Sequence, residues 1–128
     1  MPSEKRKFGD IGEKEAEEYL KKMGYEIIRK NYRVKNLGEI DLISKKDKKL
    51  VFFEVKTRSA GYEESYPIEF SLTQKKIRNL KRICQIYLSE NRCLPDTKWQ
   101  VDSIFVIKNS GGESKIRHLE NIVWEEYY

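Results

Sequence analysis

Apolar and polar positions follow different rhythms along the chain, and each rhythm predicts an element. From Asp10 to Met23, the residues Ala16, Tyr19, Leu20 and Met23 recur at i, i+3, i+4 and i+7. That is one face of a helix, with Asp10 placed to cap its start and Gly24 to stop it. Tyr25 to Val34 reads as a strand with mixed faces, Asn36-Leu37-Gly38 as a turn, and Glu39 to Ser44 as a second strand. Lys45 to Lys49 is polar throughout and predicts a hairpin tip. Leu50 to Val55 is nearly all apolar, the mark of a central strand covered on both faces.

A loop from Arg58 to Pro67, with Gly61 and two tyrosines, then leads to a second helix from about Leu72 to Ser89. Its residues Ile77, Leu80, Cys84, Tyr87 and Leu88 form an apolar stripe, while Lys75, Lys76, Arg78, Lys81 and Arg82 crowd the other side. Pro95 marks another loop, Trp99 to Lys108 a strand, Gly111-Gly112 a turn and Lys115 to Leu119 a shorter strand. The order α-β-β-β-α-β-β predicts an α/β fold, a mixed β-sheet flanked by helices.

Composition narrows the class. The chain has 128 residues, enough for one domain over 1–128 and too few for two. Hydrophobic residues make up 38% and charged residues 37%, with 15 aromatics, so a wholly disordered chain is excluded. No apolar run approaches the roughly 20 residues of a bilayer span, and Met1 to Lys7 is charged where a secretion signal would be apolar. The expectation is a cytoplasmic protein with no membrane partner. Cys84 and Cys93 lack C-x-x-C spacing, and His118 is the single histidine. Disulfide, zinc-hydrolase and Ser-His-Asp chemistries therefore do not fit, and any catalysis must run on carboxylates and lysines. A net charge of +5 is a mild pull toward polyanions.

The strands of the hairpin around Lys45–Lys49 carry Glu39, Asp41, Glu54 and Lys56. Period-two alternation puts Glu39 with Asp41, and Glu54 with Lys56. With an even loop, either Asp47-Lys48 or Lys46 to Lys49, paired residue numbers sum to 95, so Asp41 stands opposite Glu54 and Glu39 opposite Lys56. An odd loop would send the pairs to opposite faces. Two like charges about 4 Å apart cost on the order of 4 kcal/mol at an effective dielectric near 20. Protonation of one carboxyl, neutralisation by Lys56, or a divalent cation between the two would each relieve this. The buried character of the Glu54 strand favours the cation, and oxygen-only ligation points to Mg²⁺ or Mn²⁺. Lys56 would then orient an attacking water and stabilise charge on a phosphoryl oxygen, or simply pair with Glu39. Glu13 shares a row with the buried stripe of the first helix, which suits either a reach toward a cation or a first-turn acid favoured by the helix dipole.

Three blocks, Gly9-Asp10-Ile11-Gly12-Glu13, Gly38-Glu39-Ile40-Asp41-Leu42-Ile43 and Phe52-Phe53-Glu54-Val55-Lys56-Thr57-Arg58, together resemble the YraN-like family of uncharacterised bacterial proteins. These are predicted endonucleases of the PD-(D/E)XK class. Ser71-Leu72-Thr73 with Lys76 and Val101-Asp102 resemble further family motifs, so the resemblance spans most of the chain. It implies a restriction-endonuclease-like core, Asp41 and Glu54 as metal ligands, Lys56 as the catalytic lysine and Glu13 as the acid completing the site. It further implies hydrolysis of DNA phosphodiesters to 5′-phosphates, with branched or damaged DNA as substrate. Val101 and Ile77 depart from the family pattern, so no catalytic role is carried to that part; Asp102 is expected to pair with a basic side chain. Arg58, Lys75 and Lys76 would hold phosphates. The alternative is a nucleic-acid-binding module that keeps the fold without chemistry. A third reading has Trp124, Tyr127 and Tyr128 docking on a partner or a second copy in a homodimer.

Overall fold

The computed structural model describes residues 3–61 and 73–123. Helix α1 spans Glu4–Lys22 and starts earlier than its apolar periodicity indicates. Ser3 is the cap, its Oγ accepting from the Arg6 N–H at 3.1 Å, so Asp10 lies inside the helix rather than at its start. The extra turn is all charged side chains up to Phe8, which are good helix formers with no apolar rhythm to reveal them. Gly24 ends it as expected, at φ 94°.

Strands β1 (Glu26–Val34), β2 (Gly38–Lys46) and β3 (Lys49–Ser59) form an antiparallel meander. Lys46 pairs with Lys49, Lys45 with Leu50 and Leu42 with Phe53, which is the register summing to 95. The tip is therefore only two residues, Asp47-Lys48, both at positive φ (51° and 65°) as a tight hairpin turn demands. Lys45, Lys46 and Lys49 belong to the strands, not to the tip. Likewise Arg58, expected in a loop, sits on β3.

Helix α2 spans Gln74–Glu90, its N-cap Thr73 accepting from the Lys76 N–H. It carries the chain over to β4 (Trp99–Lys108), which runs parallel to β3, and β5 (Ser114–Leu119) closes the order β1-β2-β3-β4-β5. The sheet is mixed, and the element order is the one read from the sequence.

Val51 through Val55 are all buried because β3 is covered on both sides. Phe52 packs with Leu80, Ile83, Cys84 and Tyr87 of α2, whereas Val51, Phe53 and Val55 pack with Ala16 and Leu20 of α1. Ile83, outside the stripe traced in the sequence, is part of that contact. Alternation then aims Glu54 toward α2. The tyrosines of the Arg58–Pro67 loop, Ser71-Leu72 and the aromatic tail at Trp124, Tyr127 and Tyr128 lie outside the described residues.

Candidate functional site

The β2–β3 ladder stops at Leu42 and Phe53. Beyond it the Asp41 carboxylate takes over, Oδ2 accepting from the Val55 N–H at 2.7 Å. Here β2 also breaks period two: Ile40 and Ile43 both join the cluster under α2, while Leu42 joins the one under α1. In β1, Asn31 lies between Lys30 and Tyr32, which pair with Leu42 and Ile40, and it takes φ 53°. The two irregularities face one another at Asp41, which stays in β2 beside β1 but no longer pairs with β3 through its backbone. As a result Asp41, Glu54, Lys56 and Glu39 line one cavity of about 410 Å³, with Lys75 and Lys76 reaching it from α2.

Glu54 is 5% exposed. Its Oε1 meets two ammonium groups, Lys76 at 2.7 Å and Lys56 at 3.2 Å, while its buried Oε2 has no hydrogen-bond partner. The Lys56–Glu39 pair, the alternative role for Lys56, does not form, because the β2–β3 ladder ends before those positions; Glu39 instead pairs with Arg33 at 3.1 Å. Lys76, placed by the sequence on the outer face of its helix, turns inward, and its burial lowers its pKa against the pull of Glu54. The half-buried Asp41 carboxyl is pushed up to about 7, chiefly by desolvation. The Val55 N–H opposes that rise, and Glu13, Glu39 and Glu54 add to it. These are the features of a site with more acid than its surroundings can ionise comfortably.

Glu13 comes from α1, on the other side of β3 from Glu54, and lines a neighbouring cavity with Lys56 and Arg58. Burial, then Glu39 and Asp10, raises its pKa. With its amide nitrogen facing the acids, Asn31 donates to Glu39 Oε1 at 2.8 Å and Glu13 Oε1 at 3.3 Å. This bridge is absent from the sequence reading. Its one visible signal is an asparagine inside a strand, a residue that tolerates left-handed backbone.

Glu13, Asp41 and Glu54 do not converge as tightly as a preformed three-ligand metal site. Among the described residues, the ligand atoms drawn within 4.8 Å of one another are those of Asp102, His118 and Glu120, a group that could hold a cation. The buried Asp102 there already has both oxygens engaged. Oδ2 lies 2.7 Å from His118 Nε2, and Oδ1 accepts from Gln100 Nε2 and the Asn121 N–H. Asp102 thus pairs with a basic side chain, as its strand position suggested.

Fold and site together define a small α/β protein with a carboxylate–lysine cleft where its central hairpin opens. The chain belongs to the uncharacterised protein family UPF0102, whose model matches residues 12–106. It is 40% identical over 109 residues to the UPF0102 protein of Caldicellulosiruptor saccharolyticus, covering 85% of this chain and 89% of the relative. It is 41% identical over 117 residues to that of Syntrophomonas wolfei, covering 91% and 96%. With the UPF0102 protein of Acetivibrio thermocellus it shares 42% over 110 residues, covering 85% and 82%. The family is the one whose resemblance the three motif blocks carry.

Proposed function

We propose that the protein is a metal-dependent nuclease that hydrolyses phosphodiester bonds of DNA. The observation that carries this reading is the buried Glu54, whose Oε2 has no hydrogen-bond partner and whose side chain lines one cavity with Asp41, Lys56, Lys75 and Lys76. An oxygen-only donor set fits Mg²⁺ or Mn²⁺, with Glu54 Oε2 and the free oxygen of Asp41 as ligands and Glu13 available from α1. When bound, such a cation polarises the phosphodiester and lowers the pKa of its water. Lys56, already paired with Glu54, would orient the attacking water and stabilise charge on the phosphoryl oxygen. Lys76 gives up Glu54 and moves to a flanking phosphate. Arg58 and the exposed Lys75 hold the backbone on either side without reading its sequence. The two free cysteines suit the reducing conditions of the cytoplasm. No helix among the described residues is long and apolar enough to cross a membrane.

A second reading, a nucleic-acid-binding module without chemistry, draws on one observation: both lysines already neutralise Glu54 without any cation. Nicking of linear, branched and single-stranded DNA and of RNA with Mg²⁺ or Mn²⁺ separates the two readings. The nuclease reading expects cleavage that Asp41→Ala and Glu54→Ala each abolish. Binding with no cleavage in either metal would establish the module instead.

A further inference from the structure

A second cavity, of about 530 Å³, adjoins the first, and Lys56 lines both. Lys5, Phe8 and Gly9 from the early turns of α1 meet Arg58 from the end of β3 around it. Among the described residues its wall carries Lys5, Arg58 and Lys56, the last also paired with Glu54, beside the acid Glu13. Arg58 is held at the strand end, its Nη1 donating to the Thr57 carbonyl at 2.9 Å. Phe8 is half-buried, lines this cavity and belongs to none of the three core clusters of the described residues. Where a Gly9 Cβ would stand there is open space within 4 Å.

We propose that this cavity takes one unpaired nucleotide of a DNA strand, its base against Phe8 and its phosphate between Lys5 and Arg58, next to the phosphate at Lys56. The inference rests on the nucleic-acid reading above and sharpens it to a substrate class. A volume of this order suits a single small ligand, not a duplex. A paired base has both faces covered inside its stack; only an unpaired one can offer a π-face to a ring on a concave wall. The cationic side chains on its wall supply contacts for the phosphates.

The test is fluorescence anisotropy without divalent metal, comparing a fully paired duplex with the same duplex carrying a short single-stranded gap. The wild-type protein is expected to bind the gapped DNA more tightly. Phe8→Leu keeps apolar bulk but loses the π-face, and should weaken gapped-DNA binding about 5- to 100-fold, the worth of one stacked base, while leaving the paired duplex unchanged. Gly9→Leu is a second variant that favours the helix rather than disrupting it, and should produce the same selective loss by occupying the open wall. Equal losses on both DNAs, or none on either, would overturn the cavity assignment and leave general nucleic-acid binding standing. No binding of either DNA by the wild-type protein would overturn both.

Discussion

Asp41 and Glu54 share a cavity but respond to it in opposite ways. Asp41 has lost water without gaining a countercharge, and its carboxyl is pushed up to about 7. Because this folded-state value lies above that of the unfolded chain, Asp41 favours folding most below about pH 4, and that contribution fades as the pH climbs toward 7. Asp41→Asn keeps an acceptor for the Val55 N–H and removes the charge. It should therefore match the wild-type melting temperature near pH 4 and exceed it at pH 8 by about 4 °C or more, roughly 1 kcal/mol or more. A difference that does not grow with pH in thermal scans would contradict this. Glu54 is paired with Lys56 and Lys76, so Glu54→Gln strands two inward-facing ammonium groups. The same scans at pH 8 should show it destabilised by about 1–3 kcal/mol, the reverse of its neighbour; a stabilised Glu54→Gln would mean the lysines are not held by that carboxylate.

At the scale of elements, the docking of α1 on β3 decides whether Glu13 reaches the site. Gly12 makes this approach possible: a Cβ there would stand 1.8 Å from Thr57 Oγ1 and 2.9 Å from Thr57 Cβ. Gly12→Ala should lower stability by about 1–3 kcal/mol through overpacking, despite the better helix propensity of alanine. Adding Thr57→Ala should restore part of the loss, so the double-mutant cycle is non-additive. Strict additivity in chemical denaturation would show that the two do not meet. The hairpin register was legible in the sequence because side-chain period and loop parity leave few choices, and the observed tip selects one of them. The break in β2 at Asp41 and the left-handed Asn31 were not legible, since they arise from two strands accommodating each other. Nor was the inward turn of Lys76, because helical spacing puts it among basic neighbours and only Glu54, arriving from another strand, gives it a reason to bury. The early start of α1 escaped for a simpler reason, the lack of apolar rhythm in a charged first turn.

For the molecule as a whole, 26 basic residues against 21 acidic ones give a net charge too small to drive strong association by itself. Placement matters more: Lys75 and Lys76 border one cavity, Lys5 and Arg58 the next, and Lys56 both. DNA affinity should fall linearly on a log–log plot against salt, and Lys75→Gln should reduce the slope by about 1. A salt-independent affinity would remove the basic rim from the account. Among the described residues the proposed cation site in the Asp41–Glu54 cleft has one rival, the Asp102–His118–Glu120 group. Titration calorimetry of Mn²⁺ into DNA-free protein distinguishes them most directly. Asp41→Asn and Glu54→Gln should each weaken binding at least about tenfold, the loss of one charged ligand, while His118→Gln leaves it unchanged. Binding that survives both carboxylate substitutions and disappears with His118→Gln would contradict the account.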